Sequence, residues 1–211
     1  LGATVQVIPH ITNEIKSRFY RNPAAENTEI AIIEVGGTVG DIESQPFLEA
    51  LRQFQHEVGH ENCILIHVTL IPYIKASGEL KTKPTQHSVK ELQSLGVQPD
   101  VLVLRTEHNL NMSLRKKVAL FCNVAEEAVV QSIDASTIYE VPLLMQEQGL
   151  DETILKKMGL PTGEKPNLEP WKEFLKRRSQ ATDEVKIALV GKYVELQDAY
   201  KSILESLSQA A

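Results

Sequence analysis

Short apolar runs rich in β-branched residues recur along this chain, and each is followed by a polar stretch and a helix-forming segment. Residues 30–33, 63–72, 101–104 and 128–133 are such runs. A run without alternation of apolar and polar residues is typical of a strand buried on both faces, as in a parallel sheet covered by helices. The repeated order of strand and helix therefore predicts an α/β fold with a mostly parallel sheet flanked by helices.

Length, charge and cysteine content narrow the class of protein. The 211 residues suffice for one domain, or for one domain with an appendage. The net charge of −6, with no long basic block, argues against a nucleic-acid-binding protein. No stretch is long and apolar enough to cross a membrane, and the start of the sequence does not resemble a signal peptide. We therefore expect a cytoplasmic protein whose cysteines, Cys63 and Cys122, stay reduced.

The first apolar run leads into a glycine turn that carries acidic side chains. Glu34 follows the run directly, at the end of a strand where open α/β sheets bind their ligands. Three glycines lie within residues 36–40, Asp41 and Glu43 come next, and Ser44 is expected to cap the following helix. Mg²⁺ prefers oxygen ligands, so Glu34 is a candidate magnesium ligand. The alternative is a tight turn with solvated acids.

Two lysines precede a predicted helix that extends from about residue 88 to residue 95. Lys81 and Lys83 lie just before Pro84, at the start of this helix. Two ammonium groups beside free backbone N–H groups and the positive end of a helix dipole suit a polyphosphate. Neutral donors in the same segment are Thr82, Thr85 and Gln86. The alternative is a solvated basic loop.

Residues 56–60 match the HExxH pattern of zinc peptidases. The helical spacing predicts a buried stripe formed by Phe47, Leu51, Phe54 and Val58. His56 lies opposite this stripe, so a zinc site in a sheltered pocket is disfavoured. The sequence also contains neither a GxxxxGK[ST] phosphate loop nor a cysteine in a nucleophile turn, and no catalytic residue is identified.

The composition of the chain changes after about residue 157. Residues 158–170 are rich in proline and glycine, which is typical of a linker. A helix is predicted near residues 171–178, a strand at 185–190 and a closing helix at 200–207. We therefore expect one α/β domain at residues 1–157, a linker at 158–183, and the start of a second α/β domain at 184–211.

Four segments together resemble the CTP synthase family: residues 4–12, 34–43, 81–90 and 191–196. The resemblance covers nearly the whole chain. It implies a P-loop NTPase-like amidoligase (synthetase) domain that lacks its N-terminal part, followed by the linker and a truncated start of a glutaminase domain.

The resemblance also implies an activity. Members of this family phosphorylate the 4-oxygen of UTP with ATP and Mg²⁺, and then displace the phosphate with ammonia from glutamine. The product, CTP, is an allosteric inhibitor, and the family forms homotetramers. Because the phosphate loop, a second metal carboxylate and the glutaminase catalytic residues are missing, the chain is expected to be inactive alone. The alternative is a non-catalytic module that binds pyrimidine triphosphates or serves in assembly.

The resemblance assigns roles to four groups of residues. Glu34 resembles a Mg²⁺ ligand. The contacts to inhibitory CTP are Asp41, Ile42 and Glu43. The residues that resemble the UTP or CTP triphosphate site are Lys81, Thr82, Lys83, Pro84, Thr85, Gln86 and Lys117. The residues expected to contact ATP are Ile133, Asp134 and Ala135.

Overall fold

The computed structural model describes residues 2–26 and 28–210, and of residues 22–26 only the helical backbone is described. The helices are α1 (Thr12–Glu26), α2 (Gln45–Val58), α3 (Lys83–Ser94), α4 (Met112–Cys122), α5 (Val141–Glu147), α6 (Leu150–Lys157), α7 (Glu169–Gln180) and α8 (Lys201–Ala210). The strands are β1 (Ile66–Leu70), β2 (Tyr73–Ile74), β3 (Glu79–Leu80), β4 (Val101–Thr106) and β5 (Val129–Ile133). The chain divides into two compact units, Leu1–Glu164 and Lys165–Ala211. The expected boundary at residue 157 stays a prediction.

A parallel sheet of three strands forms the centre of the first unit. Its order is β1-β4-β5, and both pairings are parallel. The central strand β4 is buried along most of its length because its neighbours pair with both of its edges and apolar side chains cover both of its faces. The predicted α/β fold with a parallel sheet flanked by helices is confirmed.

Helix α3 packs on one face of this sheet through polar as well as apolar contacts. The Nε2 atom of His67 lies 2.9 Å from the Ser88 hydroxyl oxygen, and the Thr69 and Thr85 hydroxyl oxygens are 3.0 Å apart. Because alternate residues of a strand point to opposite faces, His67 and Thr69 share the face covered by α3. The core on this side consists of Ile71, Val89, Leu102, Leu104, Leu110, Val118, Ala119, Cys122 and Val129.

Helices α1 and α2 pack against each other through a small aromatic cluster. Phe19 of α1 meets Phe54 of α2 edge to face, with ring centroids 5.4 Å apart. The buried positions of α2 are Leu48, Ala50 and Gln55, whereas Phe47 is exposed. Leu51, Phe54 and Val58 of the predicted stripe are half-buried, and Leu51 and Phe54 pack against core clusters, so the prediction is wrong only at Phe47.

The predicted first strand, residues 30–33, lies outside the sheet. Ile32 is 95% exposed, and the outward face of β1 is exposed as well, with Val68 at 58%. The apolar pattern signals that burial is favourable, but a strand forms only where another strand accepts its backbone hydrogen bonds. Among residues 2–26 and 28–210, no strand pairs with residues 30–33.

The second unit contains α7 and α8 joined by irregular chain. Residues 185–190, predicted as a strand, are exposed and form no strand. The predicted helices near 171–178 and 200–207 are present, each somewhat longer than expected. None of the described helices combines the length and the apolar character that crossing a membrane requires.

Candidate functional site

The lysine segment lies at the carboxyl end of β1. A two-residue pairing of β2 with β3 matches Tyr73 to Leu80, and the Lys81 amide then donates to the Pro72 carbonyl at 3.0 Å. This ladder brings the chain back to the edge of the sheet that β1 has just left. Helix α3 begins two residues later, at Lys83, five residues earlier than the sequence predicted. The reason is that proline is well tolerated in the first turn of a helix, so Pro84 does not delay its start.

The first turn of α3 has free donors. The N-cap residue, Thr82, makes no side-chain capping hydrogen bond. The amides of Lys83 and Thr85 have no acceptor within the helix, as is general for the first residues of a helix, and Pro84 has no amide hydrogen. Lys83 is exposed, so its ammonium group lies in solvent beside these amides. Thr85 is fully buried, so the turn offers the Lys83 amide and cationic side chains to an anion.

The neutral side chains of the segment are turned inward. Thr82, Thr85 and Gln86 are all buried. The Thr85 hydroxyl donates to the Leu70 carbonyl at 3.1 Å, and the Gln86 side-chain amide donates to the Thr82 hydroxyl oxygen at 3.0 Å. The Thr85 side chain thus anchors α3 to the end of β1, whereas the Gln86 side chain bonds within the first turn of α3. Their predicted role as phosphate donors stays a prediction.

The predicted ATP segment lies at the same edge of the sheet. Parallel pairing matches Leu70 of β1 to Arg105 of β4, and Thr106 of β4 to Ile133 of β5, so the carboxyl ends of the three strands are together. Neighbouring strands are about 4.8 Å apart, which places the ends of β1 and β5 about 10 Å from each other. Two ligands bound at these ends could therefore meet.

Asp134 is held in place by the neighbouring strand. Its amide donates to the Thr106 carbonyl at 3.0 Å, and its carboxylate accepts a hydrogen bond from the Arg105 guanidinium at 3.1 Å. Both side chains are more than half exposed. Ile133 and Ala135, on either side, are half-buried. Only Asp134 of the three thus presents a charged group at the edge.

The acidic glycine turn lies near the other end of α3. Val35 and Val39 pack against a cluster that includes Leu92 and Val97, and a Cβ atom added to Gly40 would lie 3.4 Å from the Cγ atom of Glu91. Eight residues of helix separate position 91 from position 83, which corresponds to roughly 12 Å along the axis. The structure therefore does not bring the turn and the lysines together at a single phosphate group.

Ser44 braces the turn from the inside. Its hydroxyl oxygen lies 3.0 Å from the Thr38 carbonyl oxygen and 2.9 Å from that of Asp41, so its one proton is shared between the two acceptors. The predicted capping role is wrong, because a hydroxyl that faces these carbonyls makes no capping bond to the helix. Asp41, Ile42 and Glu43 are left exposed on this turn.

The candidate magnesium ligand is accessible. Glu34 is exposed, and a Cβ atom added to Gly36 would lie 3.5 Å from its Oε1 atom. In the described part of the chain, no three His, Cys, Asp or Glu side chains are grouped closely enough to hold a metal. Mg²⁺ sites commonly combine one or two carboxylates with water and substrate phosphates, so a single carboxylate fits this type of site.

Lys117 lies midway along α4, the helix beside α3. Its side chain is exposed, whereas its neighbour Lys116 forms an ion pair with Glu126 at 3.5 Å. Within the described residues, no hydrogen bond or ion pair joins Lys117 to residues 81–86. Its place in the triphosphate site stays a prediction.

The HExxH segment does not form a zinc-binding helix. Helix α2 ends at Val58, so His60 belongs to a separate turn. The Glu57 carboxylate is engaged by the buried Lys16 ammonium group and by the Tyr20 hydroxyl. These contacts lower the pKa of Glu57, the Lys16 hydrogen bond being the largest cause. The segment thus ties α1 to α2.

Comparison with known proteins agrees with the resemblance. Residues 1–160 match the family described as CTP synthase N-terminus. The chain is 72% identical over 211 residues to the CTP synthase of Bacteroides fragilis, and 64% identical over 212 residues to that of Bacteroides thetaiotaomicron. It is 61% identical over 211 residues to the CTP synthase of Porphyromonas gingivalis. Each alignment covers 100% of this chain and 39% of the relative.

The match also corrects one expectation. The chain was expected to be the later part of a synthetase domain followed by the start of a glutaminase domain. The family that matches residues 1–160 is the N-terminus of CTP synthases, and no comparison assigns residues 161–211 to a glutaminase. The match thus supports the N-terminal region of a CTP synthase. By this match the chain belongs to the CTP synthase family.

Proposed function

We propose that this chain carries the nucleotide-binding part of an enzyme that aminates UTP to CTP at the expense of ATP. Glutamine or ammonia supplies the nitrogen, and the reaction belongs to pyrimidine nucleotide biosynthesis. The observation that carries the proposal is the placement of Lys81, Lys83 and the free Lys83 amide at the sheet edge where Asp134 also lies. The family match supports the same activity.

In this proposal the two ends of α3 receive different parts of the ligands. Lys81, Lys83 and the first turn of α3 bind the triphosphate of UTP or CTP, with Lys117 joining from α4. Residues 133–135 bind ATP at the end of β5. The exposed residues 41–43 contact the inhibitor CTP away from its phosphates. This agrees with the position of Gly40 beside Glu91, which lies roughly 12 Å along the helix axis from Lys83.

Glu34 would hold the Mg²⁺ that accompanies ATP, and the metal would neutralise phosphate charge there. The chain's own contribution is an accessible carboxylate at the start of a turn fixed by Ser44. We further propose a homotetrameric, cytoplasmic parent enzyme, and a 211-residue chain that does not turn over alone.

The test is calorimetry of UTP and CTP binding to the 211-residue chain in the presence of Mg²⁺. Hydrogen bonds to charged groups contribute about 1.5–3 kcal/mol each, so the double variant Lys81→Ala, Lys83→Ala should weaken binding by well over tenfold. The matched control is Lys172→Ala, Lys176→Ala in the second unit, which removes the same charge and should leave binding unchanged. Equal affinities of the double variant and the wild type would refute the proposed site.

A second candidate function is a non-catalytic module that binds pyrimidine triphosphates. The accessible lysine segment, which needs no other domain to be formed, favours it for the isolated chain. An assay for CTP formation from UTP, ATP and ammonia separates the two. Turnover by the 211-residue chain would show that it is catalytically competent, contrary to our proposal.

A further inference from the structure

Glu79 forms an ion pair with Lys81, one of the two lysines of the proposed triphosphate site. The Glu79 carboxylate accepts a hydrogen bond from the Lys81 ammonium group. The Lys81 ammonium group is therefore already paired with a carboxylate when no nucleotide is bound. Lys83, by contrast, has no ion-pair partner among residues 2–26 and 28–210.

The hairpin explains why these two side chains meet. Strand β3 contains Glu79 and Leu80, and the Lys81 amide extends the same ladder to the Pro72 carbonyl. Side chains two residues apart on a strand point to the same face, so Glu79 and Lys81 are neighbours by the geometry of the backbone. The turn at Gly78, whose φ is +65°, fixes the start of β3.

The ion pair is accessible to a ligand. The Glu79 side chain is 60% exposed and that of Lys81 is 44% exposed, so solvent reaches both partners. An exposed ion pair is weak, and a triphosphate carries more negative charge than one carboxylate. A phosphate can therefore displace the carboxylate from Lys81 without any movement of the hairpin backbone.

We propose that Glu79 sets the affinity of this site for triphosphates by holding the Lys81 ammonium group until a phosphate displaces it. This inference rests on the proposed function, because it takes Lys81 to be a phosphate-binding residue. Glu79 is an internal competitor, and it also repels the incoming phosphates because its charge has the same sign. Its effect is to lower the affinity of the site for every anion that Lys81 would bind.

The central measurement is calorimetry of Glu79→Gln with UTP and, separately, with inorganic tripolyphosphate. Removing an exposed ion pair of ordinary strength should tighten the binding of both ligands by about two- to fivefold at low salt. The gain should shrink as ionic strength rises above about 0.1 M, because exposed charges are then screened. Glu14→Gln is the matched control: it breaks an exposed ion pair with Arg18 in α1 and should not change affinity.

A double-mutant cycle separates this contact from a general effect of charge. In the Lys81→Ala background, Glu79→Gln should give a clearly smaller gain, because only the repulsion between Glu79 and the phosphates is then removed. An equal gain with and without Lys81 would overturn the inference. Weaker binding of UTP by Glu79→Gln would also overturn the inference, because it would mean that Glu79 orients Lys81. Unchanged binding would overturn it as well, because Glu79 would then have no effect on affinity.

Failure of the inference is distinguishable from failure of the proposed function. If the wild type binds UTP and the double lysine variant does not, but Glu79→Gln has no effect, only the role of Glu79 is wrong. If the wild type binds neither UTP nor tripolyphosphate, the proposed function of the segment fails, and the inference fails with it.

Discussion

Thr85 provides the sharpest test of how α3 is fixed to the sheet. Its side chain is fully buried, its hydroxyl donates to the Leu70 carbonyl, and it lies 3.0 Å from the Thr69 hydroxyl oxygen. Valine has nearly the same shape as threonine but no hydroxyl. The substitution Thr85→Val therefore removes these hydrogen bonds without opening a cavity.

The expected loss in the free energy of unfolding follows from the polar groups that lose their hydrogen-bond partners. The Thr69 hydroxyl, in a residue that is only 8% exposed, loses its partner, and a buried polar group left unsatisfied costs about 1–3 kcal/mol. The Leu70 carbonyl belongs to a residue that is 59% exposed, so water can replace the donor that it loses. We expect a loss of about 2 kcal/mol, the middle of this range. For a unit of this size, such a loss lowers the melting temperature by about 4–8 °C.

The assay is urea unfolding followed by far-UV circular dichroism, with calorimetric melting as a second measurement. Thr153→Val is the matched control, because the Thr153 hydroxyl makes only a long hydrogen bond of 3.5 Å to the Glu127 carbonyl. The double variant Thr69→Val, Thr85→Val should cost less than the sum of the two single variants, since the hydroxyls share one interaction. A Thr85→Val protein as stable as the wild type would refute the reasoning.

Two further predictions concern the α1–α2 layer. The hydrogen bond from Arg52 lowers the pKa of Glu49 from 4.5 to about 2. A carboxyl group whose pKa is depressed by folding stabilises the native state above its unfolded pKa, so we expect stability to fall between about pH 4.5 and 2. Glu49→Gln should flatten this dependence in melting experiments, and an unchanged pH profile would contradict it. Glu57→Gln should destabilise the chain by about 1–3 kcal/mol in urea unfolding, because the Lys16 side chain is only 11% exposed and its ammonium group loses its anionic partner. Adding Lys16→Met should restore part of that loss; a double variant less stable than Glu57→Gln would contradict this explanation.

The strands of the central sheet could be predicted from the sequence because each one is a short apolar run whose partners are other such runs. The same pattern failed at residues 30–33 and 185–190, which are equally rich in β-branched residues and yet exposed. Local sequence shows that burial would be favourable, but it does not show whether a neighbouring strand exists to accept the backbone hydrogen bonds. Strand pairing depends on the whole sheet, so a local sequence pattern cannot predict it.

The start of α3 shows a different limit. Residues 83–87 are polar and contain a proline, so they looked like a loop, and the predicted helix began near residue 88. Pro84 is favourable in the first helical turn, and the buried Thr85 hydroxyl finds an acceptor, the Leu70 carbonyl, that only the folded sheet provides. The Gln86 side chain bonds locally, to Thr82 at the N-cap of the same helix. The contact of Glu79 with Lys81 could have been predicted, because residues two apart on a strand share a face.

The inward orientation of these neutral side chains changes what binds the phosphates. With the hydroxyl of Thr85 and the amide of Gln86 already engaged and Thr85 fully buried, the groups left for a triphosphate are two ammonium groups and the Lys83 amide. Charge then contributes most of the affinity, since a helix terminus alone contributes only about 0.3–1 kcal/mol at an exposed site. A site of this kind should be sensitive to salt and to nearby carboxylates. The carboxylate of Glu79 lies closest, because the hairpin ladder places it beside Lys81.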